Sequence, residues 1–294
     1  MWDGTIAVGV DGSLESLAAA DWAAQEAQLR GTSLRLVQAW EWKVHPGALV
    51  PSNDTQRDWA TRLLHEAEER IKGLHPELSV TTELVSGTPV AALLAASADA
   101  ALLVLGSRGL GGVVGFLLGS TGLETLAEAT RPVVLVRPGE QGQSEPERSP
   151  LSGREVVLGL DMQQPCDDVI AFAFEAADRR QVPLRVVHAW DIAPVHRYAA
   201  GRPGHDTEPR QEDEVRQALT EILRPWRSKF PDTEVVEDAF SGRAGRHLVE
   251  AAARAGLVVM GRRMQNPGHG THLGPVAHAV IHHARCPVAA VPHK

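Results

Sequence analysis

Cysteine is nearly absent, with only Cys166 and Cys286 among 294 residues. Two thiols cannot build a disulfide framework or a four-thiolate zinc site, and free thiols fit a reducing cytosol. Positive charge is also in deficit: 29 Lys and Arg stand against 37 Asp and Glu, a formal net charge of -8. That balance disfavours a surface built for nucleic-acid backbones or anionic lipid. It leaves a small phosphate ligand open, because backbone N–H groups bind phosphate without any basic excess. Apolar runs are broken by Asp, Arg or Gly well before the roughly 20 residues of a membrane helix. The opening Met1-Trp2-Asp3-Gly4 lacks the basic region and apolar core of a signal peptide. The expectation is a cytoplasmic protein with neither membrane nor nucleic acid as partner.

Several enzyme signatures are missing too. There is no Gly-x4-Gly-Lys-Ser/Thr phosphate loop and no Gly-x-Ser-x-Gly nucleophile turn. A Ser-Gly-Gly-x-Asp-Ser segment after the first strand is likewise absent. What is present is a globular composition, 43% hydrophobic and 22% charged, in a chain long enough for two domains with their own cores.

The chain repeats itself. Leu34–Glu41 (LRLVQAWE) returns as Leu184–Asp191 (LRVVHAWD), and Ile6–Asp11 (IAVGVD) as Val156–Asp161 (VVLGLD). Leu102–Gly106 (LLVLG) returns as Leu257–Gly261 (LVVMG), and Pro132–Val136 as Pro287–Val291. The offset is 150 early and 155 later, too long for a solenoid unit, so a whole domain is duplicated. The expected boundaries are 1–138 and 154–294, with 139–153, rich in Pro, Gly, Ser and Glu, as linker.

Within the first copy, short Val/Leu/Ile runs alternate with helical patterns. Thr5–Val10 ends at Asp11-Gly12-Ser13, where Ser13 is a candidate N-cap for a helix over Leu14–Arg30 that stops at Gly31. Strands follow at Ser33–Glu41, Ser79–Ser86, Ala101–Gly106 and Pro132–Arg137, with helices at Asp54–Lys72, Pro89–Ala98 and Gly119–Ala129. The strands read as continuous apolar runs, as in a parallel sheet covered on both faces. The fold class is α/β: two tandem doubly wound domains.

The chemistry-bearing segment is Gly106–Thr121 (GSRGLGGVVGFLLGST), which leaves a strand end and enters a helix N-terminus, where ligands bind in open α/β sheets. Glycines at Gly106 and Gly109 would admit a ligand where a Cβ would clash. Gly119, Ser120 and Thr121 place N–H groups and two hydroxyls at the positive end of a helix dipole, suited to phosphate. The competing reading is a plain glycine loop with a Ser/Thr cap. Asp11 likewise reads either as a ligand contact or as a turn residue capping the Leu14 helix. Arg108 pairs with phosphate or is simply exposed.

The spacing Gly-x2-Gly-x9-Gly-Ser at Gly106, Gly109, Gly119 and Ser120 resembles the ATP-binding motif of the universal stress protein family. Val8–Ser13 resembles that family's first strand and turn, and the resemblance covers both copies. It implies a five-stranded parallel sheet of order 3-2-1-4-5 in each domain. That family dimerises through its last strand, so the copies are expected to pack as an internal pseudo-dimer; no feature fixes a homodimer of whole chains. The resemblance places Val10 and Asp11 beside the nucleoside, Ala39 beside the adenine, and Leu105 and Gly106 near the ribose. It places Gly109, Gly119, Ser120 and Thr121 on the phosphates, with a divalent cation such as Mg²⁺ as a companion.

The second copy departs from the motif. Gly261 and Gly274 are kept, but Met264 stands for Gly109 and Pro275 for Ser120, the latter lacking both N–H and hydroxyl. Asp11-Gly12-Ser13 becomes Asp161-Met162-Gln163. Nucleotide is therefore expected mainly in the first copy. Histidines crowd the C-terminal end at His269, His272, His278, His282, His283 and His293. His278 and His282, four apart, share a helix face, but without a third ligand they read as a solvated helix, and no metal site is expected. Trp40 and Trp190 either close a core edge or stack on a base. Cys166 and Cys286 read as inert thiols.

The resulting expectation is an ATP-binding regulatory protein of the stress response. A slow ATPase and a scaffold binding no nucleotide are the alternatives. No catalytic residue is assigned, because Ser107, Ser120, Thr121 and Arg108 offer no ready base.

Overall fold

A computed structural model describes residues 2, 4–41, 53–107, 119–138, 154–190, 207–264 and 273–294. The proposed linker, Arg108, Gly109, His269 and His272 lie outside the described residues. The chain forms two compact units. The first runs β1 (Ile6–Gly9), α1 (Leu14–Arg30), β2 (Leu34–Trp40), α2 (Asn53–Leu74), β3 (Val80–Ser86), α3 (Pro89–Ala98), β4 (Leu102–Gly106), α4 (Ser120–Glu128) and β5 (Val133–Val136). The second runs β6 (Val156–Gly159), α5 (Asp167–Arg180), β7 (Leu184–Trp190), α6 (Thr207–Lys229), β8 (Val235–Ser241), α7 (Ala244–Ala252), β9 (Leu257–Arg263), α8 (Pro275–His283) and β10 (Val288–His293).

In the first unit the strands lie in the order β3-β2-β1-β4-β5, and β1 pairs in parallel with both β2 and β4. The second unit runs β8-β7-β6-β9-β10, with β6 parallel to β7 and β9. In both units the first strand in sequence is therefore central, and the order reverses at its C-terminal end. Ile6, Val8, Leu34, Leu36, Leu102 and Val104 are fully buried, as are Val156, Leu158, Leu184, Val186, Val258 and Val259. Apolar surface removed from water on both sheet faces drives this arrangement.

Local signals act where the residues place them. Ser13 caps α1 by accepting from the Ser16 N–H, and Gly31 ends it in the left-handed region at φ 62°. Thr88 caps α3 from the Ala91 N–H, with Pro89 in the first turn. The reading of every strand as a continuous apolar run needs correction at β3 and β8. Both are half-exposed along most of their length, because each lies at the outer edge of its unit's ladder.

Candidate functional site

The site of the first unit is built where β1 and β4 end. The Val10 N–H donates to the Val37 carbonyl at 2.8 Å, so the end of β1 is tied to β2 one residue before Gln38 and two before Ala39. Val10 and Leu105 are buried, whereas Ala39 is half-buried and Asp11 exposed. Asp11 Oδ1 accepts from the Ser13 N–H at 3.0 Å and the Ser13 hydroxyl at 2.5 Å. The Ser16 hydroxyl in turn donates to the Ser13 carbonyl at 2.9 Å. Asp11 thus anchors the turn whose Ser13 caps α1, and its carboxylate stays at the sheet edge. Gly12 sits between them at φ 79°, a conformation L side chains rarely adopt.

The glycines divide by cause. A methyl group at Gly106 would lie 2.6 Å from the Glu15 carbonyl carbon, 2.7 Å from its oxygen and 2.8 Å from the Ser16 nitrogen. The close approach at Gly106 is that of α1 to β4, so packing by itself accounts for glycine there. Gly119 is different. Among the described residues nothing lies within 4 Å of a Cβ at this position, and its φ of -57° suits any residue. Among the described residues neither packing nor backbone conformation calls for glycine at 119.

Gly119 is also the N-cap of α4 and makes no side-chain cap hydrogen bond. The first helical bond runs from the Leu123 N–H to the Gly119 carbonyl at 3.0 Å. The N–H groups of the preceding turn lie at the positive end of the helix dipole. Ser120 is exposed and Thr121 half-buried beside them. The structure thus brings Val10, Asp11, Leu105 and Gly106 to adjoining strand ends and sets Gly119, Ser120 and Thr121 at the start of α4. This end of the first unit can chemically accept an anion.

The second unit keeps the cap backbone and loses one of its helix N–H donors. Gly274 caps α8 at φ -57° and ψ 158°, against φ -57° and ψ 157° at Gly119. Pro275 then removes the first N–H of the helix. The turn after β6 changes as well. The counterpart of Leu14 is Gln164, yet α5 begins only at Asp167, after Cys166 as an N-cap without a side-chain bond. Pro165 explains this, since the residue before proline is kept out of helical backbone. The close neighbours of Gly261 are consequently the His293 ring, 2.9 Å from a Cβ placed there, and Val169. Arg262, at the counterpart of buried Ser107, is buried itself, and burial lowers its pKa.

Two other sequence readings can be compared with the structure. Trp40 and Trp190 are half-buried; their carbonyls accept from Gly87 and Gly242, and Trp190 stacks on His188, ring centroids 6.4 Å apart. That favours closure of a core edge. The reading of α8 as a solvated histidine helix is corrected: His282 is only 8% exposed, and its ring centroid lies 4.1 Å from that of His278. Four-residue spacing signals this pairing, but the burial of His282 has no mark in the sequence.

The family model described as "Universal stress protein family" matches residues 4–137 and again 153–292. A universal stress protein of Mycobacterium bovis is 35% identical over 96% of this chain and 95% of its own length. One of Mycobacterium tuberculosis is 32% identical over 96% of this chain and 94% of its own. A universal stress protein structure from Archaeoglobus fulgidus shares the fold at a TM-score of 0.69 and 16% identity, covering 99% of this chain and 98% of that one. The duplicated α/β unit, the matched residues and these relatives together establish that the chain belongs to the universal stress protein family as a tandem of two of its domains.

Proposed function

We propose that this chain binds one adenine nucleotide, ATP, in its first unit, and acts as a nucleotide-responsive regulatory protein of the stress response. The observation that carries the reading is the contrast at two matching helix starts. At Gly119 no described atom crowds the cap and α4 keeps its N–H groups, whereas Pro275 deletes a donor from an otherwise equal cap. A phosphate needs both the space and the donors.

In this reading Val10 and Ala39 flank the base, Asp11 and Gly106 lie by the ribose, and Ser120 and Thr121 join the α4 amides on the phosphates. Gly109 contributes a further amide, and Mg²⁺ accompanies the phosphates. Binding is favoured over turnover because the Asp11 Oδ1 is already engaged by Ser13. The test is mass spectrometry of nucleotide released from protein purified without added ligand. ATP or a related adenine nucleotide supports the reading. Absence of nucleotide, together with no uptake of added ATP, overturns it.

A further inference from the structure

We infer that His278 and His282 of α8 form a two-imidazole site for a borderline divalent transition ion, of the Zn²⁺, Ni²⁺ or Cu²⁺ class, completed by water. The spacing of four residues puts both side chains on one helix face. The rings have already met: their centroids are 4.1 Å apart and their planes are tilted by 41°. Two imidazole nitrogens on one ion at about 2.0–2.1 Å stand roughly 3 Å apart. Rings whose centroids are 4.1 Å apart are close enough for one nitrogen of each to share an ion.

The two rings differ in a way that serves ligation. His282 is buried, so little side-chain freedom remains to be lost on binding, while exposed His278 leaves an approach for the ion and its waters. Desolvation, then the charges of His282 and His283, lowers the pKa of His278. Among the described residues no third His, Cys, Asp or Glu converges with this pair. The counterparts in α4 are Leu123 and Ala127, which makes this chemistry particular to the second unit. It is independent of the nucleotide proposal.

The test is calorimetric titration of the full chain with Ni²⁺ or Zn²⁺ alone, near pH 7.5 and without nucleotide. The expected result is one equivalent whose affinity falls at least tenfold in His278→Ala. Electron paramagnetic resonance with one equivalent of Cu²⁺ should show two nitrogen ligands in wild type and one fewer in the variant. Exposed His278 can be replaced without opening a core cavity, and unchanged metal-free melting verifies folding. An affinity and a spectrum unaltered by His278→Ala would assign the metal to other histidines and overturn the inference.

Discussion

Replacing Gly106 by alanine tests why the first unit needs glycine at the end of β4. The added methyl group meets backbone, with Glu15 carbon and oxygen at 2.6 and 2.7 Å and Ser16 nitrogen at 2.8 Å. These atoms belong to the first turn of a 17-residue helix that Ser13 caps, so relief requires α1 to move rather than a rotamer to change. Overpacking of this kind costs about 1–3 kcal/mol. At about 4 °C per kcal/mol for a domain of this size, the first-unit transition should fall by about 4–12 °C. Two controls separate packing from ligand space. In Gly261→Ala the methyl group meets the His293 side-chain ring rather than backbone, and the cost should stay below about 1 kcal/mol. Gly119→Ala meets no described atom and should lose no more than about 1 kcal/mol through a poorer cap. Differential scanning calorimetry of the four proteins without ligand measures all of this. A Gly106→Ala protein melting within 1–2 °C of wild type, or below neither control, would refute the helix-packing account.

Ser13→Ala removes the side-chain cap of α1 and the hydroxyl that donates to Asp11, and should cost about 1 kcal/mol in chemical denaturation. Arg35 bonds Asp99 at 2.7 Å and lowers its pKa chiefly through that hydrogen bond. A depressed carboxylate stabilises the fold above its unfolded value of 3.8 and loses that contribution as pH falls through the folded one. Because Asp99 is exposed, Arg35→Gln should narrow the difference in stability between about pH 6 and pH 3 by no more than about 1 kcal/mol. Purified protein with Mg²⁺ should turn over ATP more slowly than about 1 s⁻¹, the low end of ordinary enzymes. A faster rate that disappears in Asp11→Ala would mark a true ATPase.

Much of the fold is legible in the sequence because its signals are local or periodic. The Ser13 cap, the Gly31 stop, Pro89 in a first turn and the duplicated strands all act where their residue types predict. The sequence is silent where the cause lies between elements. Gly106 answers to a helix backbone some 90 residues earlier in the chain, and no local pattern carries that information. The late start of α5 is written in Pro165, but the change of neighbours at Gly261 emerges only once the helix is placed. Edge position governs the exposure of β3 and β8, and strand composition does not encode edge position. His282 is buried although histidine-rich helices usually face water. At the candidate site, the glycine spacing correctly marks a helix start, yet it treats Gly106 and Gly119 alike when one serves packing and the other leaves space.

The central claim is that only the first unit takes nucleotide. Calorimetric titration of the full chain with ATP and Mg²⁺ measures this directly, beside Gly119→Val, whose side chain would enter the space at the α4 cap. The account predicts a stoichiometry near one for wild type and no binding for the variant. Two equivalent sites, or one site untouched by Gly119→Val, would contradict it.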